Sequence, residues 1–93
     1  MNIFSSLRNY AGKWAIKSSR VFNAEEKAAV ASAVVVPSQY GNSVCFTMIS
    51  GGQTYIPLSQ NSSLGVGEEV DLNNAKLLTL GKPGEDDILR VEA

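Results

Sequence analysis

Apolar residues recur along this chain with two spacings, and each spacing predicts a different element. Residues 3–14 put Ile3, Phe4, Leu7, Tyr10, Ala11 and Trp14 on one helical stripe, with Asn2 or Ser5 as a cap and Gly12 fraying the end. From Trp14 the period shortens to two: Trp14, Ile16, Ser18, Arg20 and Phe22 alternate with Ala15, Lys17, Ser19 and Val21, as in an extended segment. Asn23-Ala24-Glu25-Glu26 then reads as a helix start, with Asn23 as the N-cap and Glu26 at the third helical position. Two acids in that first turn also suit the helix dipole. The alanines that follow carry a short helix until the valines take over.

From Val30 onward the pattern is that of strands. Val34-Val35-Val36 is β-branched and is expected to stop at Pro37, and Ser38-Gln39-Tyr40-Gly41-Asn42 is rich in turn formers, with Gly41 and Asn42 suited to positive φ. Val44, Phe46 and Met48 alternate with Ser43, Cys45, Thr47 and Ile49; Ser50-Gly51-Gly52 reverses the chain, and Gln53–Leu58 returns as the partner strand. Pro57 cannot donate to a ladder, so it marks an edge or a bulge. Residues 59–67 form a polar loop, Glu68–Leu72 leads to a turn at Asn73-Asn74, and Lys76–Leu80 is strand-like. A break at 81–86 precedes a terminal strand over Asp87–Glu92. The expectation is a mainly β fold, a small five- to six-stranded antiparallel barrel with a short N-terminal helix or arm. Residues 1–22 are the arm and 23–93 the barrel domain.

The order of elements from Val30 to Val91 resembles a reduced oligonucleotide/oligosaccharide-binding (OB) barrel. The resemblance is carried by the hairpin Ser43–Leu58 and by Gly67-Glu68-Glu69-Val70-Asp71-Leu72, which leads into Ala75–Leu80. It covers about two thirds of the chain and is similar to small single-stranded-DNA-binding proteins of bacteriophages and mobile elements. One departure keeps an SH3-like barrel open as an alternative: OB folds place a helix between their third and fourth strands, and residues 59–67 scarcely leave room for one.

Composition narrows the chemistry. At 93 residues with 44% hydrophobic and 18% charged positions, one modest core is feasible and disorder is not expected. The absence of His removes Ser-His, Cys-His and His-ligated metal chemistry, and the lone Cys45 removes both an intramolecular disulfide and a thiolate zinc cluster. Cys45 sits in an apolar run, where a free cysteine behaves as a small buried hydrophobe. No stretch is long enough to span a bilayer, no secretory leader is evident, and a cytoplasmic location is expected. The tripeptide Asn61-Ser62-Ser63 matches a glycosylation acceptor, which has no use in that compartment. Glu85-Asp86-Asp87 reads as a solvated turn rather than a cation site, Glu68 and Glu69 point to opposite faces if extended, and Ser62–Gly67 lacks the lysine of a phosphate loop. No enzyme, cofactor or small-molecule substrate is implied.

The net charge of −1 hides a division. Residues 1–46 set Arg8, Lys13, Lys17, Arg20 and Lys27 against Glu25 and Glu26, for a balance of +3, whereas residues 47–93 balance at −4. Single-strand binders combine rings that stack on bases with cations that follow the phosphates. Trp14 lies among Lys13, Lys17 and Arg20, Tyr40 falls in a turn, and Tyr55 opposes the Ser43–Ile49 strand; Phe46 is expected in the core. The expected function is non-catalytic binding of single-stranded nucleic acid, more readily DNA, with Lys13, Lys17, Arg20 and Lys27 on phosphates and Trp14, Tyr40 and Tyr55 as stacking surfaces. The alternative is a protein-interaction or self-assembling module, such as a homo-oligomer, that uses the arm or a sheet edge. A membrane partner is not expected.

Overall fold

A computed structural model describes residues 15–39, 41–81 and 88–93. The helix expected over 3–14 lies outside them. The described chain runs β1 (Ala15–Val21), α1 (Ala24–Ala29), β2 (Val30–Ser38), β3 (Gly41–Met48), β4 (Gln53–Pro57), β5 (Lys76–Gly81) and β6 (Ile88–Glu92). The strands form two antiparallel three-stranded sheets, in the orders β1-β5-β6 and β2-β3-β4. The fold is mainly β, as the strand periodicities predict.

The second sheet follows from local chemistry. Ser38 pairs with Gly41, whose φ of +116° is open to glycine and strained for other residues, and the chain turns there into β3. At the other end, Gly51 takes φ +100° while its amide donates to the Met48 carbonyl, which closes the β3–β4 reversal. Strand β2 continues through Pro37, one residue past the expected stop. Ala33 and Val35 turn their backbone groups away from β3, toward residues 67–70, where Gly67 N donates to Val35 O, Val35 N to Glu68 O and Val70 N to Ala33 O. Pro37 has the same parity, so its missing N–H faces away from β3 and costs that ladder nothing.

Parity also sorts the side chains. Ala33, Val35, Val44 and Phe46 face inward with Ile56 and meet Phe22, Leu58, Val70, Ala75, Leu77 and Val91 in one core. The Phe22 and Phe46 rings lie 5.9 Å apart and tilted at 43°, inside the range in which aromatic pairs attract. Among the described residues the backbones of the two sheets join at a single parallel bridge, Leu58 beside Val91, where Ser59 N donates to Val91 O at 2.8 Å. Pro57 explains why the contact is so short. Leu58 N bonds back to Asn42 O on β3's side, so residues 57 and 59 present their amide positions to β6, and Pro57 has no amide hydrogen to offer. Among the described residues no ladder closes the two sheets into a continuous ring, and no helix lies between β4 and β5.

Helix α1 has no buried residue and only six positions, too few to stand on propensity alone. Its start is the expected capping box: Glu26 N donates to Asn23 Oδ1 at 2.8 Å, and Asn23 N donates to Glu26 Oε1 at 3.0 Å. It ends where Val30 adopts an extended conformation and starts β2. Ile49 N donates to Ala29 O and Lys27 Nζ donates to Asn73 Oδ1, so the helix is tied to two separate turns.

Candidate functional site

Each expected contact residue has a definite place or lies outside the described residues. Lys13, Trp14 and Tyr40 are in the second group, as are the acids of 85–87. Lys17 is exposed on β1 and is the extra residue at the register shift between Ile16 and Ser18. Arg20 faces Glu26 as a two-pronged pair, with Nη1 to Oε1 at 2.5 Å and Nη2 to Oε2 at 2.8 Å. A phosphate at Arg20 would have to displace that carboxylate. Lys27 is half-buried beside Asn73. Tyr55 stands apart from these, on β4.

The Arg20–Glu26 pair has a consequence in acid. The guanidinium hydrogen bond, aided by the Asn23 backbone, lowers the Glu26 carboxyl from 4.5 to about 2. The folded value lies below the unfolded one, so the pair's stabilisation is complete above about pH 4.5 and vanishes as pH falls toward 2. Both partners are solvent-exposed, so screening keeps the contribution small. Glu26→Gln keeps the capping geometry and removes the charge. Thermal melts should show the variant less stable than the parent at about pH 6, with the gap closing by about pH 2. A gap independent of pH would assign the effect to the cap.

The outer face of β2-β3-β4 is the broadest candidate surface. Register places Val34, Cys45 and Tyr55 in one row across the sheet, Val36, Ser43 and Pro57 in the next, and Ser32, Thr47 and Gln53 on the other side. Cys45 is buried at the centre while Tyr55, 59% exposed, presents its ring on the edge strand. Hydrogen bonding to the Cys45 side chain is the main cause that raises the Tyr55 phenol above its ordinary value, and an ordinary phenol is already neutral at physiological pH. No charged residue occurs anywhere from 28 to 67, so this entire sheet is neutral. Any cation serving it must come from another element.

One such cation was not marked by sequence reasoning. Arg90, on β6, lines a groove of about 1150 Å³ over the junction of the two sheets, together with Ser43, Pro57, Ser59, Gln60 and Ser62. Its Nε is buried and has no hydrogen-bond partner among the described residues. In the sequence Arg90 is an ordinary polar position of an alternating strand; only the adjacency of β4 and β6 gives it a groove.

Among the described residues no cluster of three Cys, Asp or Glu could hold a metal ion, and no helix is long and apolar enough to cross a membrane. Compared with known proteins, the chain matches no family model, no curated protein and no solved structure.

Proposed function

We propose that this protein binds single-stranded nucleic acid, more readily DNA, without catalysis and with weak sequence preference, in the cytoplasm. The observation that carries the reading is the exposed Tyr55 ring on an uncharged sheet face bordered by Val34, Val36 and Pro57, a platform on which a base can stack, with Glu69 opposite Val34 at the far end of the row. The two sheets are read as the halves of a small, partly open OB-like barrel whose seam is the Leu58–Val91 contact. That β4 lies beside β6 rather than β5 supports this, because a crossover between non-consecutive strands belongs to a Greek-key barrel and not to a simple meander. Lys13, Trp14, Lys17, Arg20, Lys27 and Tyr40 remain proposed contacts.

A second reading, docking on a protein or on another copy, is favoured by one observation. Ile16 and Val21 are each 61% exposed on β1, an edge strand of the first sheet.

Anisotropy of a labelled dT oligonucleotide of about 20 nucleotides, titrated with the protein at low and moderate salt, separates the two. Saturable binding that weakens as salt rises is expected, because phosphate contacts release counterions. No change in anisotropy at the lowest salt would overturn the nucleic-acid reading in favour of docking through β1.

A further inference from the structure

The geometry points to the groove over the sheet junction as a phosphodiester subsite, with Arg90 as the residue that anchors the backbone of a strand whose base rests on Tyr55. The inference rests on the nucleic-acid reading and adds to it a specific cation and a path.

Three observations converge on it. First, the groove and the Tyr55 face are continuous. Ser43 and Pro57 form the row next to Cys45 and Tyr55 in the same sheet, and both also line the groove. A strand rises about 3.4 Å per residue, so Tyr55 and the groove's edge are about 7 Å apart, a distance that one extended nucleotide can bridge.

Second, the lining suits an anion. Its described residues carry hydroxyls from Ser43, Ser59 and Ser62 and an amide from Gln60, Arg90 is their sole cation, and no carboxylate is among them. On β6 the nearest acid is Glu92, two residues along the same face, which pairs in register with Lys76. Third, the Arg90 Nε is a buried donor without an acceptor among the described residues. That atom is closed off from solvent, so a phosphate would meet the terminal guanidinium nitrogens, which offer two donors side by side to the oxygens of one phosphate.

The break at Pro57 creates this opening. Because residue 57 cannot donate toward β6, the sheets part just beyond the Leu58–Val91 contact, and the outer surface there stays a groove instead of closing into a ladder. The uncharged second sheet thereby borrows its cation from the first.

The test uses the full chain, the dT oligonucleotide, and an abasic strand of the same length that keeps sugar and phosphate but has no bases. In nitrogen-proton NMR spectra the Arg90 Nε–H resonance should shift with both strands, whereas the Tyr55 amide should shift strongly only with dT. Arg90→Gln should weaken dT binding about tenfold or less and lower the salt exponent by about 0.7, the value for one phosphate on a single strand. Arg90→Lys should keep the salt exponent while losing part of the affinity, because the charge remains and the fork is gone.

Wild-type affinity and salt exponent in Arg90→Gln, or an Arg90 resonance unmoved by the abasic strand, would overturn the subsite and leave the Tyr55 reading standing. Failure of the unmodified protein to bind dT would overturn both. Should Arg90→Gln not fold, the NMR titration of the unmodified protein decides alone.

Discussion

Phe46→Ala is expected to cost about 3–5 kcal/mol, the usual penalty for removing a buried ring. A domain of this size holds about 5–15 kcal/mol in all. Phe46 is 3% exposed, faces inward from the central strand of its sheet, and meets Phe22 at 5.9 Å. Its loss therefore removes the link between β3 and the segment joining β1 to α1. A hollow of about 410 Å³ already adjoins it, lined also by Met48, Ile56 and the helix residues Glu25, Glu26 and Ala29. The space left by the ring would merge with that hollow and be open to water through the helix side. At about 4–8 °C per kcal/mol, the melting midpoint should fall by ~12–40 °C, measured by circular dichroism. Phe46→Leu keeps most of the volume and should fall much less. Equal midpoints for Phe46→Ala and the parent would mean that the core does not depend on this ring.

The parts of the fold legible in the sequence are those decided within a few residues. The β3–β4 hairpin follows from alternation ended by Gly51, and the start of α1 from Asn23 and Glu26, because both signals act over one turn. The parts not legible depend on how separate elements meet. Arg20 and Glu26 are six residues apart on different elements, and they meet only because the chain bends at Phe22 and Asn23. Alternation alone predicts one wet face for β3, yet Ser43, Val44, Cys45 and Phe46 are all buried. As the central strand, β3 has its outward residues flanked by Val34 and Val36 on one side and by Tyr55 and Pro57 on the other.

Charge behaves in the same way. Among the described residues, β1 from the basic first half pairs with β5 from the acidic second half, so the sequence halves do not coincide with the sheets. The more useful signal was the long uncharged run from Ala28 to Gly67, which becomes the neutral sheet and the loop beyond it. Such a sheet lacks the charge to hold a polyanion alone, so the proposed function needs the ring and the cation on different elements. Tyr55 on β4 and Arg90 on β6 are arranged that way, on either side of the interruption at Pro57.

Tyr55→Ala is expected to weaken binding of the dT oligonucleotide by about 5- to 150-fold, the equivalent of about 1–3 kcal/mol for one stacked base. The loss should leave the salt exponent unchanged, since a ring contributes no counterion release. That separates it from Arg90→Gln, which lowers the exponent. Tyr55→Phe keeps the stacking face and loses only the hydroxyl, whose hydrogen bond to Gln53 Oε1 is long at 3.4 Å, so its affinity should stay within about twofold of the parent's. The truncation also uncovers Cys45 and weakens a cross-strand pair on an edge strand, an effect on stability of about 1 kcal/mol or less. Binding is therefore compared below the melting transition of both proteins. Parent-like affinity in Tyr55→Ala would remove the outer face of β2-β3-β4 as the platform. An equal loss in Tyr55→Phe would instead assign the contact to the hydroxyl, and the base would then be read by hydrogen bonding rather than by stacking.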